Sequence, residues 1–186
     1  MGSDRDILEE LAADHRRIQS LLDRVRSAQP GSDERTSFVE QVSGCLVRHL
    51  VTEREHLHPL VRRYVPDGDQ WTHGLLAVDR DIEQTLRSLE TVAPRNERYT
   101  DLLLSLASDV TRHVVDLEQR VFPRLQPMSP AAVLRDAGTG ARRTEALAPA
   151  GSRPGAPAAP RLTRLTASVR GPWDRLRDRM SRRGLH

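Results

Sequence analysis

The chain holds one cysteine, Cys45. It has no partner for an intrachain disulfide, and a structural thiolate metal site is excluded. Aromatic residues make up 3% of the sequence, which argues against a sheet core built from aromatic and β-branched side chains. No stretch approaches the ~20 consecutive apolar residues a membrane-spanning helix requires. The first residues, Met1-Gly-Ser-Asp-Arg-Asp6, lack the basic start and apolar run of a secretory signal, so the cytoplasm is the expected location. Glycine is absent from most of the periodic stretches of the first half. Leu, Ala, Arg, Asp and Glu fill them instead, a composition that favours helix.

The net charge of +3 is unevenly spread. Acidic residues lie mostly in the first two-thirds, whereas the last fifth is rich in arginine. The basic character therefore belongs to a tail.

Apolar residues recur at three- and four-residue steps in four segments. The first, residues 4–28, carries Leu8, Leu11, Ile18, Leu22 and Val25, with Ser3 as its expected cap. The second, residues 33–65, carries Phe38, Val42, Cys45, Leu57, Leu60 and Tyr64, and Pro59 is expected to kink it. The third, residues 70–92, carries Trp71, Leu75, Val78, Ile82, Leu86 and Leu89, with Asp69 as its expected cap. The fourth, residues 97–125, carries Tyr99, Leu103, Leu106, Val110, Leu117 and Val121. Pro30-Gly31-Ser32-Asp33, Pro66-Asp67-Gly68-Asp69 and Ala93-Pro94-Arg95-Asn96 separate them. Four amphipathic helices with short connections predict an all-α, up-down-up-down four-helix bundle over residues 1–126. Residues 127–160, rich in Pro, Ala, Gly and Arg without period, read as a disordered linker. Residues 161–186 read as a basic, weakly amphipathic tail suited to non-specific contact with an anionic membrane or an acidic partner. Nothing in the bundle resembles a module that reads nucleic acid, no internal repeat is evident, and a monomer or weak dimer is expected.

Three of the apolar stripes are interrupted by histidine: His15 between Leu11 and Ile18, His49 after Cys45, and His113 after Val110. Glu53 follows His49 at i+4, about 40° away on the same face. Glu118 follows His113 at i+5, a spacing that needs a long reach or a π-bulge, and Asp116 is the alternative. A carboxylate on a core-facing stripe costs several kcal/mol without a partner. Histidines and carboxylates converging from facing helices are how bundle cores hold metal ions. In the third helix, Asp79 and Glu83 are spaced i, i+4 beside the stripe, while His73 lies about 160° from Leu75 and is expected in solvent. His56 lies within about 20° of His49, and His58 points to the opposite side.

These residues resemble a known family. His15, His49-x-x-x-Glu53 with Pro59 downstream, and His113-x-x-x-x-Glu118 followed by Val121-Phe122-Pro123 are similar to the pattern of hemerythrin-like, HHE cation-binding proteins. The resemblance covers roughly residues 4–126. It implies two non-haem irons bridged by carboxylates and an oxo or hydroxo group, with O2, peroxide or NO as small-molecule ligands. The third helix departs from the family's histidine-bearing pattern; alignment by eye puts Asp79 and Glu83 at those positions. The implied metal ligands are then His15, His49, Glu53, Asp79, Glu83, His113 and Glu118. His56 is the candidate catalytic group, as a proton donor, a replacement ligand or a support for another ligand. Three histidines and four carboxylates make an oxygen-rich set, which also suits manganese and favours oxidase, catalase-like or redox-sensing behaviour over reversible oxygen transport. The contrasting expectations are an O2, NO or redox sensor without turnover, and a bundle that has lost its metal and serves as an interaction module.

Overall fold

The computed structural model describes residues 5–147, and the basic tail 161–186 lies outside them. Among the described residues the chain is helical throughout. Helix α1 spans Ile7–Ser27. Helix α2 (Asp33–Thr52) runs through a π turn, Glu53–Leu57, into α3, His58–Tyr64. Helix α4 spans Gly68–Thr91. Helix α5 (Glu97–Asp116) runs through a second π turn, Leu117–Val121, into α6, Phe122–Met128. These four rods form the up-down-up-down bundle.

The caps explain where the rods begin. Asp6 accepts from the amides of Leu8 and Glu9, and the Glu9 carboxylate accepts from the Asp6 amide, so α1 starts three residues later than the expected Ser3 cap allows. Ser32 and Asn96 accept the first-turn amides of α2 and α5 in the same way. The turn before α4 is sharper than expected. Asp67 adopts a left-handed φ of 56°, and a Cβ on Gly68 would collide with the Val61 carbonyl, so the tight turn demands glycine there.

Both π turns precede a proline. A proline inside an α-helix lacks the amide for the i−4 bond, and its ring clashes with that carbonyl. Here the chain inserts one residue ahead of Pro59 and ahead of Pro123. The amide of His58 donates to the Glu53 carbonyl five residues back, and the amide of Phe122 donates to that of Leu117. The two turns mark a local correspondence between the second and fourth rods. Each has a buried histidine, a π turn and a proline ten residues after the histidine (His49 to Pro59, His113 to Pro123). It is too short to count as a repeat by sequence alone.

Residues 127–160 are not all linker. Helix α7, Ala131–Leu147, returns along the bundle, and residues 148–160 lie outside the described residues. Leu134 and Ala141 join the core formed by Ile7, Leu11, Leu57 and Val121. Arg142 donates to the Arg5 carbonyl at 2.8 Å and to Glu10 at 2.7 Å. The glycines that make this stretch read as linker permit the contact. A Cβ on Gly138 would stand 2.8 Å from the Asp6 carbonyl carbon, and one on Gly140 would stand 2.7 Å from His56 Cε1.

The apolar interior falls into two clusters. One gathers Ile18, Leu22, Val42, Leu46, Leu50, Ile82, Leu86, Leu103, Leu106 and Val110, and includes the buried free Cys45. The other gathers Ile7, Leu11, Leu57, Val61, Leu75, Leu117, Val121 and Leu125. The residues between them along each rod, His15, His49, Glu53, Asp79 and His113, are all buried.

Candidate metal centre

Each rod contributes to this polar layer because one or two polar residues replace apolar ones on its inward stripe. His15, His49, Glu53 and His113 each offer one donor atom, and these atoms lie within 4.8 Å of one another. His49 Nε2 is 2.8 Å from Glu53 Oε1, 3.1 Å from His15 Nε2 and 3.4 Å from His113 Nε2. His113 Nε2 is 3.1 Å from Glu53 Oε1. All three imidazoles thus aim the same nitrogen at one point. Metal–ligand bonds of about 2.1 Å put neighbouring donors ~3.0–3.4 Å apart around a common centre. The 3.1, 3.1 and 3.4 Å spacings fit, while His49–Glu53 is shorter at 2.8 Å and His15–Glu53 longer at 4.0 Å. The other nitrogen of each ring faces a carboxylate. His15 Nδ1 bonds Glu118 Oε1 at 2.7 Å, His49 Nδ1 faces Asp14 Oδ2 at 3.5 Å, and His113 Nδ1 faces Asp79 Oδ1 at 3.7 Å. For His15 this is the hydrogen bond that fixes the orientation and basicity of a metal-ligating histidine, whereas His49 Nδ1 and His113 Nδ1 stop short of hydrogen-bonding their carboxylates.

A second group adjoins the first. Glu53, His58 and Asp79 are all buried and also offer donors within 4.8 Å of one another. Among the described residues, Glu53 Oε2, His58 Nε2 and Asp79 Oδ1 have no hydrogen-bond partner. Buried polar atoms are nearly always satisfied, so three orphans facing one another suit a cation in contact with them. Glu53 belongs to both groups: its Oε1 meets His49 and His113, and its Oε2 has no hydrogen-bond partner among the described residues.

Burial and close approach shift the ionisation of the whole metal-free layer. Burial alone would lower the His49 pKa, but the Glu53 carboxylate and Asp14 outweigh it and raise it to about 10. Burial would raise Glu53, yet His113 and His49 hold it well below the usual carboxylate range. Burial together with the neighbouring His49 pushes His15 down to about 2. Burial and the Glu53 charge raise Asp79 to about 7. Burial lowers His58 to about 4.

Of the residues singled out in the sequence, His15, His49, Glu53 and His113 meet as one group, and Asp79 stands in the adjoining one. Glu83 is buried but turned to arginines, pairing with Arg54 and, at 2.9 Å, with Arg87. Glu118 is partly exposed and reaches the layer through His15. Asp116 pairs with Arg120 at 3.1 Å, and His73 is exposed.

The two histidines of the first π turn exchange the roles expected of them. One inserted residue retards the helix by about 100°. That carries His58 from the outer side into the core, where it is 2% exposed. It also turns His56 toward α7, where its Nε2 lies 2.9 Å from Thr144 Oγ1, and Thr144 in turn donates to Glu55. His56 is thus packed against the fifth helix instead of standing in the layer as a proton donor or ligand. His58, Asp14 and Arg54 were missed in the sequence. Pro59 was the available signal for His58, since a proline there disturbs the preceding turn, and a π turn is one outcome, the same one the His113–Glu118 spacing suggested for the fourth rod.

Comparisons with known proteins place this geometry in a family. Residues 6–125 match the model of the hemerythrin HHE cation-binding domain. An uncharacterised hemerythrin-like protein of Schizosaccharomyces pombe is 23% identical over 95% of this chain and 87% of its own length. A protein of Nostoc sp. described as a DNA nickase is 24% identical over 67% of this chain, which spans 36% of that protein's length. The crystal structure of a hemerythrin HHE cation-binding domain-containing protein from Mycobacterium kansasii superposes with a TM-score of 0.68. It is 19% identical and the match covers 76% of this chain and 86% of that one. Among the described residues no helix is long and apolar enough to cross a membrane. The buried histidine–glutamate layer therefore belongs to a domain type defined by cation binding, and the chain is a member of the hemerythrin family.

Proposed function

We propose that the layer holds a pair of non-haem irons, with manganese as the alternative metal, and that the protein serves peroxide or redox chemistry in preference to oxygen transport. The observation that carries the proposal is the convergence of three Nε2 atoms and Glu53 Oε1 beside the unpaired Glu53 Oε2, His58 Nε2 and Asp79 Oδ1. Bound iron would supply a one- or two-electron couple to an oxygen species, and the surrounding residues set what reaches it.

The preference for redox chemistry rests on a different feature from the oxygen-rich ligand set first expected. With Glu83 and Glu118 engaged elsewhere and His58 turned inward, the gathered donors are four imidazoles and two carboxylates. What favours a peroxide is Arg54. Its side chain is 30% exposed and approaches the buried Asp79 at 3.5 Å, so a guanidinium links solvent to the layer. A guanidinium at that rim can donate hydrogen bonds to the oxygens of a peroxide, which a neutral diatomic ligand accepts only weakly.

The test is elemental analysis with an optical spectrum of protein produced in iron-supplemented medium, followed by addition of hydrogen peroxide. About two irons per chain and sustained peroxide consumption are expected. Two irons without turnover, but with a reversible spectral change on oxidation, would replace the enzymatic reading with a redox sensor. A colourless chain that binds no metal would make it an interaction module and overturn the proposal.

A further inference from the structure

Resting on the metal-centre reading above, we infer that His58 is a ligand of the second cation position, sharing Glu53 with the first and completed by Asp79. In the first position the three Nε2 atoms and Glu53 Oε1 lie against one another. The second position is assembled from what remains unpaired.

Three observations converge on His58. Its side chain is 2% exposed and its Nε2 has no partner. The atoms it faces belong to Glu53 and Asp79, both 0% exposed, and each has an oxygen without a hydrogen bond. The π turn creates the alignment. The bond from the His58 amide to the Glu53 carbonyl stacks residues i and i+5 as an ordinary helix stacks i and i+4, so both side chains lean into one space.

The corresponding place in the fourth rod argues that packing alone does not call for an imidazole. Nine residues after His113, in the same register before a proline, stands Phe122. Its ring stacks on His15 with centroids 6.2 Å apart and planes 8° from parallel. An apolar ring satisfies the fold at that register. At position 58 the ring carries a nitrogen that no described residue uses.

The two positions are unequal. The first has three imidazoles, and the second has one, next to the positive Arg54 that already pairs with Asp79 and Glu83. The second position fills after the first and empties before it when a chelator is added.

The experiment loads the full chain with ferrous iron under argon, removes unbound metal and counts iron per chain, for the wild type and for His58→Phe. The wild type is expected to hold about two irons and His58→Phe about one, with metal-free helicity unchanged. Two irons retained in His58→Phe would overturn the inference. One iron in the wild type, unchanged by the substitution, would also overturn it while leaving a metal-binding hemerythrin domain. No iron in the wild type would overturn both readings. Pulsed electron paramagnetic resonance of the wild-type centre, partly reduced and carrying 15N-histidine, does not depend on the variant folding. Four coupled imidazole nitrogens, from His15, His49, His58 and His113, support the assignment, and three overturn it.

Discussion

Adding ferrous iron to the metal-free chain should raise its melting temperature substantially. Without a cation the layer buries Glu53 Oε2, His58 Nε2 and Asp79 Oδ1 with no partner. Each unsatisfied buried polar atom costs about 1–3 kcal/mol, so the three together cost at least ~3 kcal/mol. That is a large fraction of the ~5–15 kcal/mol that holds a typical domain folded. A cation that contacts all three relieves this cost only in the folded state. By linkage, ligand at ~100 times its dissociation constant stabilises by about 2.7 kcal/mol, so a modest excess of iron suffices. At ~2–4 °C per kcal/mol for a chain of this size, the expected rise is about 6–12 °C. The assay is helical circular dichroism against temperature, under argon, with and without ferrous iron. His49→Ala serves as control, because its Nε2 lies within 3.1 Å of both His15 and Glu53. That variant should stay helical, lose most of its bound metal and lose the shift. Identical melting with and without iron, or an equal shift in His49→Ala, would refute the reasoning.

Three further outcomes test the fold around the centre. Leu106 is 0% exposed in the larger apolar cluster, so Leu106→Ala should cost about 2–5 kcal/mol in a urea titration, whereas Leu104→Ala, at a position 61% exposed, should stay within about 0.5 kcal/mol. Asp6→Ala removes the capping box of α1 and should cost ~1 kcal/mol by the same titration. Gly138→Ala and Gly140→Ala should both loosen α7, by roughly 1–3 kcal/mol. Gly138→Ala should be the worse of the two, because the backbone at Arg5 and Asp6 cannot yield as the His56 ring can; equal denaturation midpoints would contradict that.

Much of the centre could be read from the chain as written. A 3.6-residue apolar period is a local property, and it sets both the four rods and the side of each rod that faces inward. His15, His49, Glu53 and His113 lie on those inward sides, and they are the residues that meet. A charged or imidazole side chain on such a stripe has nowhere else to go. Asp79 and Glu83 show where this logic runs out. Both are buried beside the stripe, and Arg54 on the neighbouring rod together with Arg87 on its own helix holds Glu83 away from the layer.

What the tertiary structure alone decided concerns rotation and closure. A proline's effect on the preceding turn can be a kink, a break or a π turn. Here the insertion of one residue rotates His58 inward and His56 outward, reversing the straight-helix expectation. Helix α7 is the other case. Its Gly138-Thr139-Gly140 lowers local helix preference enough to resemble linker, yet those glycines are what let α7 approach the start of α1 and the ring of His56. Local sequence fixes which residues repeat along one rod. Which rod comes close enough to use a missing side chain, or to claim a carboxylate, is set by packing between segments far apart in the chain.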